Sequence, residues 1–415
     1  MTMIDYNEVK KTDPTVGEAL ENELQRQQDG LEMIPSENFV SRAVMQALGS
    51  VATNKYSEGY PGNRYYGGNQ FIDVMEQAAI DRAKKIFGAE HANVQPLSGA
   101  PMNLEVYAAL LEPGDTVLGM DLAHGGHLTH GHPITFAAKV WNFVRYVCDP
   151  ETGEIDYDEL LRLAKEHKPK IVLAGFSAYS REVDYQKFHD IAQEVGAYSM
   201  MDMAHIGGLV AGGVLNNPVP IMDVVTTTTH KSLRGPRGGM ILCKKELAKK
   251  IDKSVFPGMQ GGPHEHQIAA LAVALKEADT PEFKAYSQQI VNNAKVLCEA
   301  LRVGGLKIMF GGTDNHLILA DVTPLGLTGR EAQELLDEVN ITLNKNMIPL
   351  DPRKPMDPSG IRLGTPALTT RGMKEPEMKR IGDMMIELLK NPTDDNKQKA
   401  RTMVSELTTA FPLYA

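Results

Sequence analysis

A predicted strand followed at once by a glycine-rich turn, near the middle of the chain, constrains the fold more than any other stretch. All six residues of Val224–Thr229 are β-branched, which predicts a buried strand. Three glycines and a proline within Gly235–Gly239 predict a turn behind it. Lys231 lies between strand and turn, directly after His230. Burial at the end of a strand lowers the pKa of an amine and makes it a nucleophile toward carbonyl carbons.

A desolvated lysine of this kind has one common use in enzymes. It forms a Schiff base with a carbonyl compound, most often pyridoxal 5′-phosphate. Taken alone, Lys231 is better explained as a surface lysine beside a glycine turn. The residues that follow the other predicted strands favour the Schiff-base interpretation instead, because they supply the groups that such a cofactor needs.

The order of apolar runs predicts an α/β fold. From about residue 80 to residue 245, strand-like runs alternate with amphipathic helical stretches, which is typical of a mostly parallel sheet with helices on both faces. A helical stretch over residues 265–303 leads to a second alternating region, with strands at residues 316–322 and 361–364. We therefore expect an N-terminal helical arm (residues 1–30), a large cofactor-binding domain (residues 31–280) and a small C-terminal domain (residues 281–415).

Composition excludes several classes of protein. A net charge of −10 argues against nucleic acid or an anionic membrane as the main partner. The three cysteines are widely spaced and form no CxxC pair, so neither a disulfide framework nor a zinc site is expected. The N-terminal residues lack the pattern of a signal peptide, and no apolar run is long enough to cross a bilayer. We expect a cytoplasmic enzyme.

Ligands of such sheets bind at the carboxyl ends of the strands. Asp202 ends a predicted strand there, and a carboxylate can keep a pyridine nitrogen protonated. A helix N-cap is an equally good explanation of Asp202 by itself. Ser98 and Gly99 precede a predicted helix over residues 102–111, whose N-terminus would bind phosphate. That signal is weak, because many helices begin with these residues.

Three further segments carry polar side chains suited to a site. Four histidines and three glycines alternate in residues 124–132; we expect no metal, since no cysteine or carboxylate stands at ligand spacing, and a ring stacked on a flat cofactor is the alternative. The loop of residues 53–68 is rich in tyrosine and glycine and carries Glu58, which is typical of either a site loop or a surface loop. Arg362 offers a fork for a carboxylate, or a surface ion pair.

Five motifs together resemble one enzyme family. They are Ile-Pro-Ser-Glu-Asn (34–38), Asn-Lys-Tyr-Ser-Glu-Gly-Tyr-Pro-Gly (54–62), Asp-Leu-Ala-His-Gly-Gly-His-Leu-Thr-His-Gly (121–131), Thr-Thr-Thr-Thr-His-Lys (226–231) and Ser-Gly-Ile-Arg-Leu-Gly-Thr-Pro-Ala (359–367). In family order, over about residues 31–385, these motifs are similar to those of serine hydroxymethyltransferases. The resemblance implies the aminotransferase-like architecture called fold type I. It also implies pyridoxal 5′-phosphate as cofactor and tetrahydrofolate as co-substrate.

The resemblance implies a role for each matching residue. The implied catalytic residues are Lys231, Glu58, Tyr56, His230 and Asp202. The implied cofactor-binding residues are Ser98, Gly99, Ala100, His127, Ser177, Asp202, His205, His230 and Lys231, with Gly261 and Gly262 contributed by a second subunit. Ser36, Tyr66 and Arg362 are implied to bind the amino acid. Glu58, Leu122, Gly126, His127, Leu128, Asn346, Lys354, Pro355 and Met356 are implied to line the folate pocket.

The implied reaction moves the hydroxymethyl carbon of serine to tetrahydrofolate, leaving glycine and 5,10-methylenetetrahydrofolate, through a Schiff base on Lys231. His127 would stack on the cofactor ring, Asp202 would pair with its nitrogen, and Glu58 would transfer the proton at the serine hydroxyl. Because Tyr56, Glu58 and Tyr66 match residues that reach into a partner's site, at least a homodimer is implied, possibly a tetramer.

Departures from the family pattern leave two alternatives open. Ala100 replaces a common serine, and one lost charge-assisted hydrogen bond to phosphate corresponds to roughly 1.5–3 kcal/mol. Residues 132–138 and 354–359 also differ from the family near the pterin site, where Met356 replaces an aromatic residue. The alternatives are a folate-independent β-hydroxy amino acid aldolase of the same fold, and the same transferase with a modified pterin carrier.

Overall fold

The computed structural model describes residues 4–414, and a seven-stranded sheet forms its centre. In spatial order the strands are His91–Asn93, Gly239–Cys243, Val224–Thr228, Tyr198–Asp202, Ile171–Gly175, Thr116–Met120 and Asn142–Tyr146. Neighbours from Val224–Thr228 to Asn142–Tyr146 run parallel, whereas Gly239–Cys243 is antiparallel to both of its neighbours. The predicted α/β class with a mostly parallel sheet is confirmed.

The strands of this large sheet are apolar on both faces, because both faces are covered. Successive residues of a strand point to opposite sides of the sheet. Val225 accordingly belongs to one buried apolar cluster and its neighbour Val224 to another. The pairs Met200–Met201 and Ile171–Val172 are divided between the same two clusters. Continuous apolar runs therefore predicted these strands better than strict alternation would have done.

Helices supply the covering layers. Gly99–Leu110 packs against the strands Val224–Thr228 and Gly239–Cys243, and its residues Met102 and Val106 join one cluster. Tyr185–Glu194 packs against other strands and joins the opposite cluster. Other helices around the large sheet are Arg42–Leu48, Gln70–Phe87, Ala137–Val140, Tyr157–His167, Gly207–Ala211, Ala248–Lys253 and Glu265–Ala278.

A smaller antiparallel sheet follows along the chain. Its strands are, in spatial order, Lys307–Ile308, Leu317–Asp321, Gly360–Gly364 and Asn344–Asn346, and the helices after residue 280 are Pro281–Val303, Gly329–Asp337, Pro366–Thr370, Glu375–Lys390 and Asp394–Ala410. The N-terminal helices Asn7–Thr12 and Pro14–Asp29 lead to Leu31–Glu32, which pairs in parallel with Ile341–Thr342. Leu31 and Met33 pack into the apolar cluster of the small sheet.

The boundaries of the three expected parts stay a prediction, and residues 1–3 of the arm lie outside the described residues. Within the arm, the helical character predicted for the first thirty residues is found as the two helices Asn7–Thr12 and Pro14–Asp29. The helical stretch expected over residues 265–303 is divided into two helices. Thr280 caps the second helix by accepting from the Phe283 amide, and Pro281 occupies its first position, where the missing N–H is not needed.

The three cysteine thiols are buried and unreactive. Cys148, Cys243 and Cys298 are free and buried, and burial raises the pKa of the first two thiols to about 12 and of the third to about 11. Raised pKa values leave the thiols protonated and unreactive at neutral pH.

Among residues 4–414, none of the helices has both the length and the apolar character needed to span a membrane.

The short helix Gly207–Ala211 lies so close to the chain beyond Lys231 that only glycine fits at position 208. A Cβ on Gly208 would lie 2.2 Å from the carbonyl carbon and oxygen of Ser232. Gly208→Ala should therefore push the two segments apart and destabilise the fold by about 1–3 kcal/mol. Urea unfolding measures this decrease in the free energy of unfolding.

Gly49→Ala is the matched control, because the nearest atom to its added Cβ, the Met45 carbonyl oxygen, is 3.7 Å away. We expect its free energy of unfolding to stay within about 0.5 kcal/mol of the wild type. Equal stability of the two variants would contradict the close packing at Gly208.

Candidate active site

Lys231 lies beyond the carboxyl end of its strand, where three other segments hold the backbone. The strand ends at Thr228, so the lysine belongs to the following turn. The Ser232 hydroxyl donates to the His205 carbonyl oxygen at 2.8 Å and accepts from the Gly208 amide at 3.0 Å. Asn38 donates its side-chain amide to the Lys231 carbonyl oxygen at 3.0 Å. These bonds hold the backbone from which the Lys231 side chain extends, and Lys231 is only 9% exposed.

The surroundings of Lys231 make its amine a better nucleophile than an ordinary lysine. Burial lowers the pKa of Lys231 to about 8. The negative charge of Asp202 opposes this shift, whereas the positive charges of Arg362 and Arg237 add to it. About one tenth of the amine is therefore neutral at pH 7, far more than for an ordinary lysine, and the neutral amine is the form that attacks carbonyl carbons.

Asp202 ends its strand beside Lys231 and is held as a carboxylate. Burial by itself favours the neutral acid, but the hydrogen bond and charge of His130 outweigh it and lower the pKa of Asp202 well below its usual value. His130 Nε2 lies 3.2 Å from Asp202 Oδ2, and the Asn103 side-chain amide donates to the same oxygen at 2.8 Å. The Ala204 amide donates to Oδ1. Asn103 and His130 were not among the predicted residues; His130 stood within the histidine-rich run.

His127 is a neutral ring beside this carboxylate. Burial, followed by the charge of His130, lowers the pKa of His127 to about 4. Its Nδ1 lies 2.7 Å from the Thr129 hydroxyl, and its ring meets that of His130 edge-on at 5.5 Å between centroids. The donor atoms of His127, His130 and Asp202 lie within 4.8 Å of one another, near enough to share a metal ion. His127 Nδ1 is hydrogen-bonded to Thr129 and Asp202 Oδ2 to Asn103, and the metal-free expectation stays a prediction.

Ser98, Gly99 and Ala100 form the first turn of the helix Gly99–Leu110, which lies at the same edge of the sheet. The Ser98 side chain makes no capping bond to this helix, so its hydroxyl and the first amides remain available to an anion. Gly99 is required here because a Cβ would lie 2.8 Å from the Thr228 methyl group.

Arg362 reaches this site from the small sheet. It donates to the Ser177 carbonyl oxygen at 2.6 Å and to the Asn344 side-chain oxygen at 3.1 Å. Burial lowers the pKa of Arg362 to about 10, so the guanidinium stays charged at neutral pH. Neither bond uses a carboxylate, which leaves the positive charge for a ligand. Asn344 was not predicted; it lies directly opposite Arg362 on the neighbouring strand.

Two buried histidines complete the wall between the sheets. His205 and His316 stack with ring centroids 5.5 Å apart. Burial and then the charge of Lys231 lower the pKa of both rings, that of His316 to about 3. His316 Nδ1 and His230 Nδ1 are buried without a hydrogen-bond partner within the described residues. His316 was not predicted; it directly precedes the small-sheet strand Leu317–Asp321, far from His205 in the sequence. Ser36 lies nearby, since the preceding Pro35 packs against Gly364.

The predicted cross-subunit residues form a separate cluster on this chain. The rings of Tyr56 and Tyr66 meet edge-on with centroids 5.2 Å apart, and Tyr56 is 55% exposed. A Cβ on Gly261 would lie 3.4 Å from the Glu58 carboxylate, and one on Gly262 would lie 3.2 Å from the Tyr56 ring. The charge of Glu58, followed by a hydrogen bond to it, raises the pKa of the Tyr56 hydroxyl. All five residues therefore share one exposed surface.

The predicted folate residues lie in three places. Leu122, Gly126 and Leu128 belong to a loop next to Ser177, whose amide donates to the Gly125 carbonyl oxygen at 2.7 Å. Asn346 lies on the strand beside that of Arg362, opposite Gly360. Lys354, Pro355 and Met356 are exposed, Met356 to 76%. The leucines at 122 and 128 are also partly exposed, so the loop presents an apolar edge to solvent.

The residues around Lys231 fit a flat, anionic carbonyl cofactor such as pyridoxal 5′-phosphate. A free helix N-terminus suits a phosphate, the His127 ring suits an aromatic face, and the Asp202 carboxylate suits a protonated ring nitrogen. His230 Nδ1 and His316 Nδ1 are buried without a hydrogen-bond partner among residues 4–414, so a bound polar group could satisfy them. Sequence comparison agrees with this fit. The family model described as serine hydroxymethyltransferase matches residues 9–385 of the 415.

The charges around Lys231 predict opposite effects of two substitutions. Asp202→Asn should lower the pKa of the Lys231 amine further, because the opposing negative charge is removed. Arg362→Gln should raise it, because a repelling positive charge is removed. Reductive alkylation of the ligand-free protein, followed residue by residue with mass spectrometry across a pH series, reports this pKa. Shifts in the same direction for both variants would contradict the electrostatic account.

Proposed function

The chain belongs to the serine hydroxymethyltransferase family, a family of pyridoxal-phosphate-dependent enzymes, and on that basis we propose the following reaction. The protein transfers the hydroxymethyl carbon of serine to tetrahydrofolate, giving glycine and 5,10-methylenetetrahydrofolate. The observation that carries the proposal is the buried Lys231 amine between the Asp202 carboxylate and the Arg362 guanidinium. Those three groups are what a Schiff-base enzyme acting on an amino acid requires.

The cofactor, when bound, supplies an electron-poor ring that accepts the electron pair released at the amino-acid α-carbon. Lys231 supplies the amine that holds it and that exchanges with the substrate amine. Asp202 keeps the proton on the ring nitrogen, since its own pKa is held low by His130. His127 would lie against the flat face, and Ser98, Gly99 and Ala100 would hold the phosphate. Ser177, His205 and His230 would complete the cofactor site.

Arg362 binds the carboxylate of the amino acid, with Ser36 and Tyr66 assisting. A guanidinium that already donates to Ser177 and Asn344 is held in one orientation, so the remaining N–H groups present a fixed fork. This fork would fix the orientation of serine in the site. Misplacement by a shorter side chain should therefore reduce the rate as well as the affinity.

Glu58 is the proposed proton-transfer group at the serine hydroxyl, and Tyr56 assists the exchange between Lys231 and the substrate amine. Tetrahydrofolate occupies the space bordered by Glu58, Leu122, Gly126, His127, Leu128 and Asn346, with Lys354, Pro355 and Met356 at its rim. The exposed leucine edge of the 122–128 loop supports this placement, because a pterin ring needs an apolar surface to lie on.

The active form is proposed to be a cytoplasmic homodimer, possibly a tetramer, whose subunits share their sites. Tyr56, Glu58, Tyr66, Gly261 and Gly262 form one cluster, and large apolar side chains remain exposed beside it in sequence. Val51 is 83% exposed, and Tyr65, Phe71 and Val74 are also exposed. A surface of this kind is typical of a protein interface. Dimerisation would then bring this cluster to the Lys231 site of the partner.

Lys231→Ala should abolish serine cleavage, because it removes the amine proposed to form the Schiff base. Glu58→Gln should keep the cofactor and lose tetrahydrofolate-dependent cleavage by at least about 100-fold, the usual contribution of general acid–base catalysis. Formation of glycine from serine, with and without tetrahydrofolate, measures both effects. Folate-independent cleavage by the wild type would point to the aldolase, and normal rates in Glu58→Gln would remove Glu58 from the mechanism.

Mixing two inactive variants tests the shared sites. After joint refolding of Lys231→Ala with Glu58→Gln, half of the dimers are mixed, and each has one site with both an intact Lys231 and an intact Glu58. Activity should therefore return to about one quarter of the wild-type value. Either variant refolded alone is the control. Recovery of no activity, with mixed dimers demonstrated by differential tags, would show that each site is built from one chain.

A further inference from the structure

A buried cluster of charged groups lies directly behind the segment that carries Tyr56 and Glu58. Arg64, whose side chain is 4% exposed, donates to Asp73 at 2.8 Å and to Glu76 at 2.5 Å. Glu265 is also buried, and its Oε1 lies 3.8 Å from Arg64. One guanidinium thus faces three carboxyl groups from two helices. Three ionised carboxylates around one buried cation would leave uncompensated negative charge in the interior.

The hydrogen bonds show which carboxyl group is short of donors. Glu76 is satisfied at both oxygens, since Gln95 donates to Oε1 at 2.7 Å and Arg64 donates to Oε2. Glu265 accepts from the Ser57 hydroxyl at Oε1, at 2.6 Å. Its Oε2 is buried without any partner that donates, within the described residues. A proton on that oxygen satisfies it and lets it donate to Glu76.

Ser57 connects this cluster to the proposed catalytic segment. It stands between Tyr56 and Glu58 in the chain and is fully buried, whereas Tyr56 is exposed. Its hydroxyl is bound by Glu265 and its carbonyl oxygen accepts from Arg64 at 2.8 Å. Two residues further on, the Gly59 carbonyl oxygen accepts from Arg64 and from Gln95. The backbone on both sides of Glu58 is therefore held from within.

Glu265 also holds the second segment of the same surface. It is the first residue of the helix Glu265–Ala278 and follows Gly261 and Gly262 by only a few residues. Its bond to Ser57 spans 208 residues of sequence and joins the two segments that contribute to the exposed cluster. A change in the protonation of Glu265 would therefore affect the positions of both segments.

We infer that Glu265 is a neutral, protonated positioning residue, which holds Tyr56 and Glu58 in register with Gly261 and Gly262 through Ser57. The inference rests on the proposed function for its effect on catalysis, but the protonation state stands apart from it. If Glu265 loses this proton, its negative charge repels that of Glu76. This repulsion weakens the connection that Glu265 makes, through Ser57, between the segment of Tyr56 and Glu58 and the segment of Gly261 and Gly262.

The pH range in which Glu265 stays protonated depends on the charged groups that face it. They are Glu76 from the helix Gln70–Phe87 and Arg64, which lies on a short hairpin formed by Gly59–Tyr60 and Asn63–Arg64; Arg64 in turn also binds Asp73. Burial, followed by the negative charge of Glu76, raises the pKa of Glu265 to about 8 from an ordinary 4.5. Burial also raises the pKa of Glu76, but Arg64 and Gln95 oppose that rise, so the shared proton belongs on Glu265, whose Oε2 has no donor within the described residues. A raised pKa means that the neutral form persists at neutral pH and is lost as the pH rises through about 8.

The experiment compares wild-type holoenzyme with Glu265→Gln, which keeps the shape without a titrating group, and with Glu105→Gln as the matched control. Glu105 is a second buried carboxyl group whose pKa is raised by burial to about 8, but it has no hydrogen-bond partner within the described residues. Infrared difference spectra at about pH 7 detect protonated carboxyl groups. Steady-state kinetics of serine cleavage then give kcat/KM across the pH range.

The wild-type spectrum should contain a protonated-acid band that Glu265→Gln lacks. A group with a pKa of about 8 is about nine-tenths neutral at pH 7 and about one-tenth neutral at pH 9. The decline of kcat/KM between these pH values should therefore be about tenfold smaller in Glu265→Gln than in wild type, while Glu105→Gln should follow the wild type.

Absence of the band, an unchanged pH profile in Glu265→Gln, or an equal loss of kcat/KM at every pH would each overturn the inference. Should the wild type cleave no serine, the proposed function fails; the infrared band and the pH dependence of amide exchange in residues 53–66 then decide the inference by the same comparison.

Discussion

The amine of Lys231 is buried among the carboxyl ends of parallel strands, where the charges of Asp202 and Arg362 act on it in opposite directions. The rest of the site depends on this balance. Burial supplies the nucleophilic amine, and Asp202 prevents the pKa from falling so far that the amine could no longer take up a proton. Because Asp202 must itself stay ionised while buried, Asn103 and His130 are needed behind it.

The fold meets this requirement by bringing two sheets together. The large sheet carries Asp202 and leads into Lys231, and the small sheet carries Arg362. The bond from Arg362 to the Ser177 carbonyl oxygen and the stacking of His205 on His316 cross between them. An amino acid bound at this junction would be held by groups from both sheets, which is why neither sheet alone would suffice. Close packing at Gly208 keeps the lysine turn in place.

Local patterns predicted much of this arrangement. An apolar run predicted the strand that ends at Asp202, and a β-branched run predicted the strand that leads to Lys231. The glycine turn predicted the reversal of direction from Val224–Thr228 into Gly239–Cys243. Asn103, lying 99 residues from the carboxylate that it supports, carried no such signal. Asn344, His316 and the Ser57–Glu265 bond were hidden for the same reason. Helix and strand patterns depend on residues that are close in sequence. These hydrogen-bond and stacking partners come together only when the strands and helices pack, which the local patterns do not determine.

The visible absorption spectrum of the purified protein tests the central claim most directly. It should be recorded for the protein alone, with glycine, and with glycine plus tetrahydrofolate. The account predicts a band of bound cofactor that Lys231→Ala alters, and a strong band at longer wavelength only when both ligands are present. A protein that gains no cofactor band after incubation with pyridoxal 5′-phosphate would contradict it. A band that responds to glycine and ignores tetrahydrofolate would keep the Schiff base and contradict the folate assignment.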